Sequence, residues 1–411
     1  MPQPLAGYKI ADFSHVMAGP FCSHFLRMLG AEVIKVESIS GDPMRNYGPH
    51  RAMDGMSPAF VAANVGKKSI ALDLKSAAGF EVARRLVCSS DVVLENFRPG
   101  VMQRLGLNYE VCKAWHPGLV YCSVSGYGQT GPLRDYPAID NIVQATSGMM
   151  AANGNPEDPP SRVGWPVVDT YTGTLAALAV LSALLQRERF DTGQYIDVAM
   201  LDASLVMLTS LATPYLLTGQ MLPRTGDVGY SGAPTAAQFI ARDGLRISLG
   251  VVQNNQFAAL CQVMGRPELV SDPRFLDPVS RCEPRNAAFL REVLTSVIAT
   301  RDSGFWEREL SARGAPCGVV RDIGQVCDQA RSSERGIIMP TVIPSAPGDS
   351  PQPAYVNAGF VFEHDGPGSD APPPRLSENY ASILAELKYS AAEIGELLES
   401  GIVGRPTAGQ P

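Results

Sequence analysis

The strongest constraint on the fold is the alternation of short apolar runs with helical runs over the first third of the chain. Lys9–Phe13 reads as a strand, and Pro20–Leu29 as a helix that Gly30 stops. Glu32–Val36 and Ser69–Leu74 read as further strands, the second followed by a helix over Ala77–Val87. Asp91–Glu95 and Leu119–Ser123 complete the series. Strands alternating with helices of this length predict an α/β fold, a mostly parallel sheet with helices on both faces. Such sheets bind ligands at the carboxyl ends of their strands. The loops Ser14–Gly19, Glu37–Asp42 and Asn96–Gly100 are therefore expected to face a site.

The turn after the first strand is Ser14-His15-Val16-Met17-Ala18-Gly19. It lacks the G-x-G-x-x-G spacing that lets a backbone approach a dinucleotide pyrophosphate, which disfavours a nicotinamide or flavin dehydrogenase. Further along, Gly173–Gln186 is apolar nearly all round and reads as a central helix buried on several sides. Beyond the turn-rich stretch Leu222–Pro234, Gln238–Leu249 reads as a hairpin around Asp243-Gly244. Leu290, Val293, Leu294, Val297 and Ile298 recur at helical spacing. Residues 225–325 thus read as a second, smaller α+β domain. Pro344–Pro374 is rich in Pro and Gly and reads as irregular, and helical segments near Tyr380–Leu387 and Ala391–Leu398 close the chain.

Bulk properties exclude some functions. With 411 residues, 45% of them hydrophobic, the chain can bury a large core. A formal net charge of -7 argues against a nucleic-acid partner. The eight cysteines are scattered, with no C-x-x-C pair and no zinc-ligand spacing, so free thiols and no metal are expected. No charged-then-apolar leader opens the chain. The most apolar segment, Leu175–Leu185, falls short of the roughly 20 residues of a membrane span. The expectation is a cytoplasmic protein with no membrane partner.

Several ordered segments carry a resemblance. They are Leu29–Glu37 (LGAEVIKVE) with Gly41-Asp42-Pro43, Asn64–Lys75 (NVGKKSIALDLK), Val93–Gly106 (VLENFRPGVMQRLG), Ser125–Pro132 (SGYGQTGP), and Val168-Asp169 followed by Gly193–Val198 (GQYIDV). Weaker matches follow at Asp272–Phe275, Gly314–Pro316 and Pro374–Leu376. Together they span almost the whole chain, which resembles the family III CoA-transferases, the group of formyl-CoA transferase, carnitine CoA-transferase and α-methylacyl-CoA racemase. The resemblance implies a Rossmann-like large domain over 1–200, the small α+β domain over 225–325, and a linker and C-terminal segment, 326–411, returning to the large domain. It also implies an interlocked homodimer. The partners would be acyl-CoA and small carboxylic acids, with no cofactor beyond coenzyme A as substrate.

The same resemblance implies site residues. Val16, Met17 and Ala18 would touch the pantetheine arm, which small and apolar side chains suit. Leu72 would line the adenine with Lys75 beside it, and Asn96, Phe97, Arg98 and Arg104 would hold the nucleotide, the arginines as fixed positive charge for phosphates. Asp140 would stand near the coenzyme and the site wall. Many relatives carry an Arg after the Val-Glu of the second strand, where this chain has Ser38. In the small domain Gly250, Gln253 and Asn254 correspond to a glycine-rich loop that covers the site, and Gln253 or Asn254 could bind an acceptor carboxylate or simply cap a helix. His15 could contact substrate or be structural. The acids would be chosen by Met149–Trp165 and Pro214–Tyr230, with short dicarboxylates as the expected acids and succinyl-CoA as the donor.

Asp169 matches the family's catalytic Asp. On its position alone it reads equally as a helix N-cap, which would hold it ionised. An ionised carboxylate can attack a thioester, giving an aspartyl mixed anhydride and then an aspartyl-CoA thioester. The racemase branch carries Gly-His-Asp where this chain has Ala138-Ile139-Asp140, and isoleucine cannot shuttle a proton. Racemisation of a 2-methylacyl-CoA and non-catalytic coenzyme binding remain the alternatives.

Overall fold

In the computed structural model, which describes residues 2–48, 56–229, 231–343 and 352–406, the strand candidates of the first third lie side by side in one sheet. β1 (Lys9–Asp12), β2 (Glu32–Glu37), β3 (Lys68–Ala71), β4 (Val92–Glu95) and β5 (Val120–Ser125) are joined by β6 (Gln194–Ala199). The order is β3-β2-β1-β4-β5-β6, and every pairing is parallel. The sequence reading did not assign β6. It is an edge strand with half of its residues exposed, and Gln194 and Asp197 interrupt the apolar run that marks its buried neighbours. The order reverses between β1 and β4, so the connections that leave their carboxyl ends run to opposite sides and a crevice opens there.

The first helix, Ala18–Met28, starts two residues earlier than expected. It packs on the long helix Val167–Phe190. Gly173 makes this contact possible. A Cβ there would lie 2.6 Å from the Ala18 carbonyl oxygen and 2.9 Å from Phe21 Cβ. The long helix has 24 residues, many more than Gly173–Gln186, and is not buried all round. Thr172, Gly173, Ala176, Val180, Ala183 and Leu184 face the core, whereas Leu178 and Leu185 are 59% and 52% exposed. It is long and apolar enough to cross a membrane, with half of its apolar window buried in the fold.

The chain's end returns to the sheet. Ile383, Leu384, Leu397 and Val403 share one core with Ile34, Ile70, Val82 and Leu86. Within Pro344–Pro374, residues 344–351 lie outside the described residues. Ala354–Val356 is not irregular but pairs antiparallel with Ile338–Pro340, and Tyr355 is buried against Met28 and Phe60. That local burial outweighs the Pro/Gly content around it.

By its contacts the chain divides into two units, 1–149 with 163–216 and 329–411, and 150–162 with 217–328. In the second, β7 (Gln238–Ile240), β8 (Arg246–Leu249) and β9 (Cys317–Val319) form an antiparallel sheet. Gly244, at a φ of 81°, makes the turn between β7 and β8. Leu290, Leu294 and Ile298 pack with Trp306 and Phe257 in its core. Residues 150–162, expected within the large domain, belong here instead. Arg224 ties them in by donating to the Pro156 carbonyl at 3.0 Å.

Candidate active site

The crevice at the carboxyl ends of β1 to β4 is a cavity of about 770 Å³. His15, Leu72, Lys75 and Phe97 line it, together with Ser38–Pro43, Val101 and Leu105. Val16–Ala18, Asn96 and Arg98 adjoin these lining residues in the chain, and Arg104 sits between Val101 and Leu105. Lys75, Arg98 and Arg104 are exposed, and none has an ion-pair partner among the described residues. Unpaired cations around one cavity are what an anionic ligand requires.

Beneath the crevice lies a charged cluster that was not assigned from the sequence. Lys35, 0% exposed in the middle of β2, reaches Asp42 at 2.8 Å and donates to the Ser14 carbonyl at 2.9 Å. Asp42 accepts from the Val16 and Met44 amides at 3.2 and 2.9 Å. Asp12 pairs with Lys67 at 3.2 Å, and Glu37 accepts a bidentate pair from Arg45 at 2.7 Å each. Burial lowers Lys67 to about 8, while burial of Lys35 is outweighed by Asp42, Asp12 and Glu37, which hold it above the ordinary lysine value. The one sequence signal was a lysine inside the apolar run Val33-Ile34-Lys35-Val36.

This cluster fixes the loop after β1. Val16 has a φ of 65°, a left-handed conformation costly for a β-branched residue. Its amide is held by Asp42, so the surrounding structure over-determines the strain, as is common at ligand-binding loops. Asn96 clamps the neighbouring residue. Its Oδ1 accepts from the His15 amide and its Nδ2 donates to the His15 carbonyl, both at 2.8 Å. The His15 ring lies 5.0 Å from that of Phe97, its Nδ1 is buried without a partner, and burial lowers its pKa.

Asp169 is not the cap of its helix. The cap position is Pro166, and Asp169 is the third residue of the helix, half-buried. The capping carboxylate is Asp140, which accepts from the Val168 and Asp169 amides at 2.8 and 3.1 Å. Gln144, fully buried, donates to the other Asp140 oxygen at 2.6 Å and accepts from the Val163 amide at 2.8 Å. Asp140 and Gln144 therefore strap down the start of the helix. The expectation of a carboxylate held ionised by self-capping is overturned. Burial, and then the charge of Asp140, raise Asp169 to about 7. Asp140→Ala is expected to cost about 1–2 kcal/mol in urea unfolding, as for other lost caps. It should also lower the Asp169 midpoint, read by carboxyl carbon NMR. Asp140→Asn keeps an acceptor oxygen, so it should keep most of the stability while lowering the midpoint equally.

Gly173 lies about one turn beyond Asp169. Because Gly173 abuts Ala18, the fold brings the Asp169 end of the long helix to the Val16–Ala18 loop. Ile139, 64% exposed, precedes the short helix Asp140–Thr146.

In the second unit Gly250 lines a separate hollow of about 590 Å³ with Ser248, Leu249 and Gly314–Gly318. Asn254 is engaged by the buried Arg281. Gln253 sits at the cap position of the helix Asn254–Val263, its amide donating to Gln256 at 3.0 Å. Local structure thus uses Asn254, while Gln253 is exposed. Of the expected acid-selecting stretches, Tyr230 lies outside the described residues.

The family model described as CoA-transferase family III matches residues 5–378. The chain is 36% identical over 393 residues to the acetyl-CoA:oxalate CoA-transferase of Acetobacter aceti, covering 95% of this chain and 97% of that one. It is 34% identical over 405 residues to the succinyl-CoA:glutarate CoA-transferase of Mus musculus, covering 98% and 90%. Its fold resembles the crystal structure of a CAIB/BAIF family protein from Brucella suis, with a TM-score of 0.83 at 32% identity, covering 94% of this chain and 100% of the other.

Proposed function

The chain belongs to CoA-transferase family III, and on that premise we propose that it passes coenzyme A from an acyl-CoA donor to a free carboxylic acid through a covalent intermediate on Asp169. The observation that carries the reading is the packing of the Asp169 helix against the Val16–Ala18 segment, at the edge of a crevice lined by the unpaired Lys75, with Arg98 and Arg104 adjoining its lining residues in the chain. In this reading the nucleotide lies in the crevice, with Leu72 and Phe97 against the adenine and Lys75, Arg98 and Arg104 at the phosphates. The pantetheine arm runs along Val16, Met17 and Ala18 toward Asp169. Asn96 acts by shaping the His15 loop, and Asp140 by holding the helix that carries Asp169.

The Asp169 carboxylate attacks the donor thioester carbonyl, forming a mixed anhydride and expelling CoA thiolate. The thiolate attacks the aspartyl carbonyl and releases the donor acid, leaving the aspartyl-CoA thioester. The acceptor carboxylate attacks that thioester, giving a second anhydride and freeing the thiolate again. The thiolate attacks the acceptor's acyl carbon, which yields the new acyl-CoA and regenerates Asp169. Every nucleophile is an anion, so no general base is needed. Oxyanions are stabilised by backbone N–H donors. A pKa near 7 suits the nucleophile, because a more basic carboxylate attacks more strongly while about half of it stays ionised at neutral pH.

Short dicarboxylic acids, with succinyl-CoA as donor, are the proposed substrates, in keeping with the printed name of the mouse relative. A panel of acyl-CoA donors and acids read by mass spectrometry tests this. Succinyl-CoA with a four- or five-carbon diacid should give the highest rate, and failure of every acid to accept CoA would remove the reading. Incubation of a 2-methylacyl-CoA in deuterated water should show no rapid α-deuteration.

The proposed assembly is an interlocked homodimer. Leu178 and Leu185 on the long helix, with Leu205, Val206, Tyr215 and Leu216 on the helices Met200–Met207 and Thr209–Thr218, form an apolar exposed set suited to burial against a second copy rather than lipid. Sedimentation should find an active dimer at nanomolar dilution, and a stable, active monomer would overturn the assembly.

A further inference from the structure

We infer that Arg405 is a phosphate ligand for the nucleotide end of coenzyme A, delivered to the rim of the crevice by the last segment of the chain. The inference rests on the placement of the nucleotide proposed above. Past the helix Ala391–Glu399 the chain turns back, and Ile402–Gly404 runs antiparallel to residues 71–73, at the carboxyl end of β3. The Asp73 amide donates to the Ile402 carbonyl and the Gly404 amide to the Ala71 carbonyl, both at 2.9 Å, and Leu72 bridges Val403. Val403, 1% exposed, anchors the segment in the core. Gly404 fits too closely for any side chain, since a Cβ there would lie 2.8 Å from Ala71 Cβ and 3.8 Å from Ile39 Cδ1. Leu72 and Ile39 both line the crevice. The residue after Gly404 therefore leaves the strand pair beside Ile39, at the outer edge of β3 and next to the crevice rim.

Among the described lining residues, that side of the crevice is short of cations. The loop Ser38–Gly41 is uncharged, and the Ser38 hydroxyl is used locally, 3.0 Å from the Ser40 hydroxyl and 3.1 Å from the Gly41 carbonyl. Glu37 and Asp42 line the cavity but are paired with Arg45 and Lys35. Arg98 and Arg104 follow β4, on the other side of β1, which leaves Lys75 as the one cation after β3 among the described lining residues. Arg405 is exposed and has no hydrogen-bond or ion-pair partner among the described residues. A guanidinium is a planar fork that matches two phosphate oxygens. Its backbone is already pinned by the strand pairing, so little ordering is needed on binding. Coenzyme A offers two such groups, the 3′-phosphate and the pyrophosphate.

The test is calorimetric titration of the full-length protein with CoA and with 3′-dephospho-CoA, in wild type, Arg405→Ala and Lys75→Ala. Arg405→Ala should weaken CoA about tenfold, the scale of one charge-assisted contact. If the contact is to the 3′-phosphate, the variant and wild type will bind dephospho-CoA equally. If it is to the pyrophosphate, the variant will weaken both ligands alike. An Arg405→Ala protein within twofold of wild type for both ligands overturns the inference. Lys75→Ala separates the two levels. Loss of affinity there with none at Arg405 removes Arg405 alone, whereas no loss at either position removes the placement of the nucleotide as well.

Discussion

Asp169→Ala should abolish CoA transfer, by at least about 10⁴-fold in kcat, while leaving CoA affinity within about threefold of wild type, because removing the proposed covalent nucleophile removes the pathway and not the binding. Asp140, whose charge helps to raise the Asp169 pKa, cannot substitute. Both its oxygens are committed, to the Val168 and Asp169 amides and to Gln144. Wild type mixed with an acyl-CoA should gain the mass of CoA as a thioester that hydroxylamine releases, and the variant should not. The pH dependence carries its own sign. Asp169 is protonated below about 7, and only the ionised form attacks, so kcat/KM should fall about tenfold per pH unit as pH drops below that value. Stability should move the other way. A carboxyl raised by the fold costs stability once pH exceeds its unfolded value, and the cost is complete above about 7. Asp169→Asn should therefore melt higher than wild type at pH 8 and alike at pH 3. Full transfer by Asp169→Ala would falsify the covalent mechanism.

Lys35→Met should destabilise the fold by about 3–5 kcal/mol in urea denaturation, the range for breaking a buried ion pair from one side. Methionine fills the space, so the loss is electrostatic. Asp42, 3% exposed, would be left without its cation, and the Ser14 carbonyl without its donor. Protonation of Asp42 would relieve the charge but weaken its hold on the Val16 and Met44 amides. CoA affinity should fall with stability, because Val16 keeps its left-handed conformation only while that hold persists. Lys35→Met/Asp42→Asn should recover part of the stability but not the affinity. A loss below about 1 kcal/mol in the single variant would show that the cluster does not support the loop.

Most of the sheet was legible because buried parallel strands write themselves as apolar runs and their crossover helices as 3.6-residue periods. β6 escaped this rule as an exposed edge, and Ala354–Val356 because its burial comes from Met28 and Phe60, remote in sequence. The loops expected to share a site do meet, at the reversal of strand order between β1 and β4. The long helix was read as central and buried on several sides, and its exposed Leu178 and Leu185 were not foreseen, because composition cannot distinguish a core from an apolar surface.

By itself, then, the sequence determined a parallel α/β sheet, the loops that ring its crevice, and an aspartate at the start of a long apolar helix. It could not determine that aspartate's charge. Asp169 lies in the first turn of the helix, but Asp140 does the capping, and burial with the charge of Asp140 lifts Asp169 to about 7. Twenty-nine residues separate the two, and only the packed helices bring them within hydrogen-bond distance. Periodicity reports which face of an element is buried, whereas a pKa depends on which charges the tertiary structure sets beside it.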